Sequence, residues 1–378
     1  MDAVLTPLLP LYERERAQGR SLALAVVVHT HGSTYRKPGA LMAIARDGAY
    51  AGLLSGGCLE SDLREHARAV IETGQAHLVS YDTGGSDDAI WGLGLGCEGS
   101  MQILLLRVGP ENAYEPLRHL AAALASHAHT AIAVVVESAA PELPAGSILL
   151  PQSGERAALA AQPTGPASPS PVLLAEANLL VQRAALSGTA AWLAAATPSV
   201  RVFAVPLLLP PRLLILGAGP DAAPIVELAA RLGWRITVYD HRPSYAQPAQ
   251  FPGADRVLLA RPEELAAKLD LGAFEAAVVM SHHIPSDLAY LQALTDADIG
   301  YVGLLGPASR RERLLSDLGA RATAISDRLR APVGLDLGGR APESVALSIV
   351  AEIHAFLNGR GGAPVSLSRA AAPADAPV

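Results

Sequence analysis

Arg212-Leu-Leu-Ile-Leu-Gly217-Ala-Gly219-Pro-Asp-Ala222 is the stretch on which the fold of this chain turns. A short apolar run passes directly into two glycines and then into a helical pattern that continues through Arg231. Gly217 permits a tight turn, Gly219 lets backbone approach a phosphate at the helix start, and Ala222 fills the position where helix packs on sheet. Asp240 ends the next apolar run, 240 − 219 = 21 residues past the second glycine. A carboxylate at that spacing suits a ribose hydroxyl. Gly217, Gly219 and Asp240 are therefore candidate nucleotide contacts. A turn kept only for packing is the alternative, and Arg242 directly after Asp240 and His241 could hold an extra phosphate.

Working outward, short apolar runs recur at 213–216, 235–239, 256–259, 276–280 and 300–304, most of them separated by helical patterns. Alternation of this kind predicts a Rossmann-like, doubly wound parallel sheet, here assigned to residues 206–358. Two further loops fall at carboxyl ends of its strands. In Ser281-His282-His283 the histidines read as polar loop residues, with either one as an acid or base the alternative. The segment from Gly306 to Arg313 opens a helix, and Arg310 there is either an anion contact or a solvated surface charge.

Upstream, Pro206, Pro210 and Pro211 mark the boundary of a first domain, residues 1–205. It is α/β with a β-rich texture. Strands are expected at 21–28, 41–45, 50–54, 101–108 and 131–137, and an amphipathic helix from Leu59 to about Gly74. A Pro- and Ala-rich stretch at about 141–171 reads as flexible connections around a strand at 147–150, and residues 359–378 as a disordered tail. No internal repeat is visible.

The 378 residues carry a formal charge of −7 and only two cysteines, with 50% hydrophobic and 4% aromatic residues. Nothing here suits a nucleic-acid partner. The N-terminus reads as neither signal peptide nor membrane span, and so few thiols suit a cytoplasmic protein, which is the expected location.

Three loops of the first domain carry chemistry. Residues 30–39 hold Ser33, Thr34, Arg36 and Lys37, hydroxyls and cations suited to a phosphate or other oxyanion. His29 and His31 lack further ligands at zinc spacing. Ser55-Gly56-Gly57-Cys58-Leu-Glu60 is a strand-to-helix turn, where helix amides favour a thiolate at Cys58. Cys97 closes a glycine-rich connection that starts at Asp82. Both cysteines could be small buried hydrophobes, but their glycine-rich settings favour ligand contact.

These motifs resemble the XdhC/CoxI family over nearly the whole chain. The carriers are Gly-Ser33-Thr34-Tyr-Arg36-Lys37-Pro38-Gly39, Ser55-Gly56-Gly57-Cys58-Leu-Glu60, Gly94-Leu-Gly96-Cys97, Leu216-Gly217-Ala-Gly219-Pro and Pro332-Val-Gly334-Leu-Asp336-Leu-Gly338-Gly339-Arg340. The resemblance implies a chaperone that binds molybdenum cofactor, as molybdopterin or its dinucleotide form, protects it, and inserts it into an apo molybdenum hydroxylase. Clients would be of xanthine dehydrogenase, aldehyde oxidase or CO dehydrogenase type, and a cysteine desulfurase would be a second partner. The family's cofactor-binding cysteine is carried over onto Cys58, which could touch molybdenum; Gly56, Gly57, Ser33, Thr34, Arg36, Lys37 and Cys97 are further candidate cofactor contacts from their own chemistry. In the second domain Gly217, Gly219, Asp240 and Arg310 could meet a nucleotide. No catalytic residue is expected, so a maturation factor is favoured over an enzyme; an NAD(P)-dependent oxidoreductase is the alternative. A homo-oligomer stays open.

Overall fold

The computed structural model describes residues 5–57, 59–82, 99–141, 143–151, 159–161, 171–193 and 200–363. The chain divides into two compact units, Ala3–Leu209 and Pro210 onward, with Met1–Asp2 grouped with the second.

The first unit begins with helix α1 (Leu9–Ala17), strands β1 (Leu22–Gly32), β2 (Leu41–Ala45) and β3 (Tyr50–Ala51), and helix α2 (Glu60–Thr73). Strands β4 (His77–Asp82) and β5 (Gly99–Val108) complete a five-stranded antiparallel sheet in the order β3-β2-β1-β5-β4. The chain then does the same again. Helix α3 (Leu117–Ser126), strands β6 (Ala131–Ser138), β7 (Ile148–Pro151) and β8 (Leu159–Ala161), helix α4 (Pro171–Ser187), and strands β9 (Ala191–Trp192) and β10 (Val200–Pro206) follow. Their sheet order is β8-β7-β6-β10-β9, the first sheet repeated element for element. The expectation of no internal repeat is thereby corrected.

The repeat extends to single hydrogen bonds. Val27 N donates to Ala40 O at 3.0 Å and Gly39 N to Val27 O at 2.8 Å; Val135 N donates to Ser147 O at 2.9 Å and Gly146 N to Val135 O at 2.8 Å. Pairing shifts by one residue past Val27 in β1 and past Val135 in β6, so the same bulge is built twice. Helix α2 buries Leu63, Ala67 and Val70, and α4 buries Ala177, Val181 and Ala184, each 114 residues later (177 − 63 = 114).

Alternation explains how the copies assemble. Leu22, Leu24, Val26 and Val28 share one core with Ile132, Val134, Val136, Phe203 and Val205, so the two sheets pack face to face. Ala23, Ala25 and Val27 point the other way, onto Leu63, Ala67 and Val70 of α2, while Ala131, Ala133 and Val135 meet Ala177 and Val181 of α4. The layers are helix, sheet, sheet, helix. The contacts between copies are reciprocal. A Cβ on Gly39 would lie 3.1 Å from Ala190 Cβ, and one on Gly146 would lie 2.5 Å from Ala76 Cβ. Glycine and alanine stand in the same structural positions on both sides (190 − 76 = 188 − 74 = 114), as an internal two-fold requires.

The second unit holds β11 (Arg212–Leu216), α5 (Ala222–Arg231), β12 (Arg235–Asp240), β13 (Arg256–Leu259), α6 (Leu265–Lys268), β14 (Ala276–Val279), α7 (Ile284–Thr295), β15 (Tyr301–Leu304), α8 (Ala308–Leu318), β16 (Leu329–Arg330) and α9 (Pro342–Leu357). Its six strands are all parallel, in the order β13-β12-β11-β14-β15-β16. Helices α5 and α9 cover one face, and α6, α7 and α8 the other. This is the doubly wound Rossmann arrangement, with its switch point beside β11.

The reciprocal glycines generate a prediction. Gly146 has φ +86°, so Gly146→Ala combines a left-handed alanine with a clash, about 2–4 kcal/mol together. Thermal unfolding should show Gly146→Ala losing more than Gly39→Ala. Adding Ala76→Gly should recover the clash and leave the backbone cost.

Candidate functional site

In the first unit, β1 runs out at Gly32 into the basic loop, and the described residues bring that loop against the Gly56-Gly57 turn and Gly99. Thr34 Oγ1 donates to Arg36 O at 2.9 Å, and Arg36 Nε donates to the carbonyl of Leu53 at 3.2 Å. The Arg36 guanidinium lies 5.6 Å from the Tyr35 ring centroid. The Tyr35 ring in turn stands 3.6 Å from where a Cβ on Gly56 would be. On the other side, a Cβ on Gly99 would lie 2.6 Å from His31 O and 2.7 Å from Ser33 O. Only glycine allows that approach, two residues after Cys97 in sequence. Ser33 and Lys37 are exposed, and Arg36 half-buried.

The 52–57 turn is organised by one buried carboxylate. Glu60 Oε1 accepts from Leu54 N at 3.1 Å and Ser55 N at 3.0 Å, and Oε2 accepts from Ser55 Oγ at 2.5 Å. Ser55 Oγ accepts from Leu59 N at 2.8 Å, closing a ring around Gly56 and Gly57. Both glycines are left-handed, at φ 76° and 112°. Glu60 is 2% exposed. Burial pushes its carboxyl up, but the Ser55 hydroxyl and the surrounding amides outweigh this and hold it below the usual carboxylate value. Asp62, two residues on, accepts from Tyr81 OH at 2.6 Å, fixing the end of β4 where the glycine-rich connection departs. Burial, then Asp62, pushes the Tyr81 phenol well up. Cys58 and Cys97 themselves lie outside the described residues. Sequence reading quoted Glu60 within its motif without a role and missed Asp62 and Tyr81. An acid five residues after a serine, across two glycines, was the available signal.

In the second unit the expected residues gather at the carboxyl edge of the sheet. Gly217, at φ 124°, has the Met280 carbonyl 2.6 Å from a would-be Cβ. The space above Gly219 is taken by the chain's own Asp221, whose Oδ1 lies 2.5 Å from a would-be Cβ. Asp221 Oδ2 pairs with His282 Nε2 at 2.7 Å, and His282 is left-handed at φ 59°. Asp240 is fully buried. Its Oδ2 accepts from Ala218 N at 2.7 Å and Arg242 Nη2 at 2.6 Å, its Oδ1 from Arg242 N at 2.9 Å and Nε at 3.0 Å. Burial again opposes ionisation, but Arg242 and the Ala218 amide prevail and hold the carboxyl low. Arg310 Nε donates to the buried Asp287 at 2.9 Å, and Asp287 also accepts from Ser281 N at 3.2 Å. His283 caps α7 by accepting from Ser286 N at 3.4 Å. Arg242 is thus spent on Asp240 rather than left for an extra phosphate. Among the described residues no group of three His, Cys, Asp or Glu is placed to hold a metal ion, and no helix is long and apolar enough to cross a membrane.

Known proteins share this arrangement. The XdhC Rossmann domain pattern matches residues 213–353, and the XdhC and CoxI family pattern matches residues 15–82. A protein of Bacillus subtilis (strain 168) named as a probable xanthine dehydrogenase component is 32% identical over 332 residues, 87% of this chain and 91% of that protein. The molybdenum cofactor insertion chaperone PaoD of Escherichia coli (strain K12) is 23% identical over 339 residues, 89% of this chain and 83% of that protein. A crystal structure described as a xanthine dehydrogenase from Bacillus halodurans has a TM-score of 0.74 and 27% identity, covering 99% of this chain and 98% of that one.

The Glu60 ring is testable by amide exchange. Glu60→Gln should speed exchange at Leu54 and Ser55 by about tenfold or more, since a charged acceptor is worth roughly 1.5–3 kcal/mol. A depressed carboxyl stabilises above its unfolded value of 4.5, and that stabilisation is lost as pH falls through the lower folded value. Wild type and variant should therefore differ most at neutral pH and converge in acid.

Proposed function

Since the chain belongs to the XdhC and CoxI family, we propose that it is a maturation factor for a molybdenum hydroxylase: it binds molybdenum cofactor, shields it, and delivers it to the apo-enzyme. The observation that carries this reading is the meeting of the 33–37 loop, the Gly56-Gly57 turn and Gly99. It gathers cations, hydroxyls and open backbone at one place, with a cysteine next in sequence to the turn and another two residues before Gly99. The names of the Bacillus and PaoD relatives support the same role.

The donor set fits the chemistry of such a cofactor. Its phosphate suits Arg36 and Lys37 with the hydroxyls of Ser33 and Thr34. Its molybdenum–sulfur centre suits a soft thiolate, which we assign to Cys58, with Cys97 as a second contact. Among the described residues nothing lies within 4 Å of a would-be Cβ on Gly57. When bound, the cofactor supplies the molybdenum chemistry of the client. This chain's residues bind it, orient it and keep water from it. Partners of the reading are an apo-hydroxylase of xanthine dehydrogenase, aldehyde oxidase or CO dehydrogenase type and a cysteine desulfurase, met in the cytoplasm.

For the dinucleotide form, the nucleotide would meet Gly217 and Gly219, with Asp240 and Arg310 behind them. Asp221 stands against that placement, because its carboxylate lies over Gly219 where a pyrophosphate would approach. It weighs equally against an NAD(P)-dependent oxidoreductase. Calorimetry with cytidine, adenine and nicotinamide nucleotides decides, and Asp221→Asn should admit phosphate more readily than wild type.

The central test is cofactor content. Cys58→Ser protein, purified without oxygen from a cofactor-producing host, should lose most of its molybdenum and pterin while its circular dichroism is unchanged. In a deletion strain the hydroxylase should keep its iron–sulfur centres and lack molybdenum. Full cofactor on the serine variant removes the thiolate role; a fully loaded hydroxylase in the deletion strain removes delivery.

A further inference from the structure

The internal repeat provides its own control for the outer surface of α4. Helices α2 and α4 bury the same positions against their sheets, in register at 114 residues. Their solvent faces differ. Glu65 and Glu72 on α2 are exposed and pair with Arg68 and Arg46. The equivalent positions on α4 are Leu179 and Leu186, 49% and 87% exposed, and Val172 adds a third apolar group at 66%. The fold does not require leucine there, since its twin holds glutamate. A helix apolar on both faces is one that something covers.

We propose that this face is covered by α4 of a second copy of the chain, in an antiparallel pair about a two-fold axis at Leu179. The pattern is self-complementary. Val172 lies seven residues before Leu179 and Leu186 seven after, so each meets the other across the axis. Glu176 is three before and Arg183 four after. On a helix rising about 1.5 Å per residue, Glu176 of one copy and Arg183 of the other come level on the same flank. Arg183 is exposed and Glu176 half-buried. Leucines at the centre with a charge pair on the rim is how small isologous interfaces are built. The 17-residue helix is about 25 Å long. One helix pair falls short of the standard interface of about 1,600 Å², so the dimer is a micromolar one. This inference does not rest on the cofactor.

Sedimentation of the full chain from about 1 to 100 µM should show a concentration-dependent dimer. The variant L179E/L186E copies the residues of α2, so it should keep its circular dichroism and melting temperature and stay monomeric throughout. Glu176→Arg and Arg183→Glu should each weaken the dimer about tenfold or more, and together restore it, because the swap re-forms the pair. A wild type that is monomeric at every concentration overturns the proposal, and so does a dimer indifferent to L179E/L186E. A charge swap that fails to restore association also overturns it, whether the true occupant is another segment of the chain or another protein.

Discussion

The first unit depends on the apolar space between its two sheets. Strand β1 is buried over Leu22–Val28 on both faces, so neither face can be given to water. One is closed by α2. The other, with Leu22, Leu24, Val26, Leu104 and Leu106, is closed by the second sheet together with Leu11 and Tyr12 of α1 and Leu117 and Leu120 of α3. Burying each such side chain is worth about 1.5–3 kcal/mol, and a single copy would leave much of the row exposed. The basic loop leaves β1 where its burial ends, at His29–Gly32, and returns into the buried β2, while the glycine turn after β3 is tied by Glu60.

How much of this was legible depended on whether the signal was local. The Rossmann sheet was readable because most of its crossovers are local, an apolar run, a turn and a helix, with Gly217 and Asp240 at the spacing a nucleotide fold uses. The repeat was not readable, because the copies keep burial and turn geometry while changing residue identity. Leu63, Ala67 and Val70 become Ala177, Val181 and Ala184, and Pro- and Ala-rich sequence hides β8. Helix α4 escaped notice because Val172, Leu179 and Leu186 on its outer side blur the apolar stripe that faces the sheet. Strand β3 stops at Ala51, short of the expected 54, because Gly52 is left-handed and a Cβ there would strike the Leu41 carbonyl at 2.6 Å. At the sites, the residue types were legible and their partners were not. Asp240 stands at the expected position but is bonded inward, since Arg242 folds back on it.

Three buried carboxylates share one task. Glu60, Asp240 and Asp287 each accept from the backbone of a loop and from a neighbouring side chain, which offsets the cost of burying the charge. Glu60 ties the Gly56-Gly57 turn, Asp240 the Gly217-Ala218-Gly219 turn, and Asp287 the loop after β14. Negative charge is turned inward at each. What the basic loop turns outward is hydroxyl and cation, the complement of an anionic ligand.

The internal two-fold also bears on stoichiometry. Two equivalent loops follow β1 and β6, yet Arg36 and Lys37 of the first have no basic counterpart anywhere in residues 139–147 of the second. A symmetric pair of separate protomers could not differ in this way, because every change in one would appear in the other. Fusion into one chain releases that bond. One half is free to specialise in chemistry while the other drifts as scaffold, and under the proposed function each chain would carry a single load rather than two.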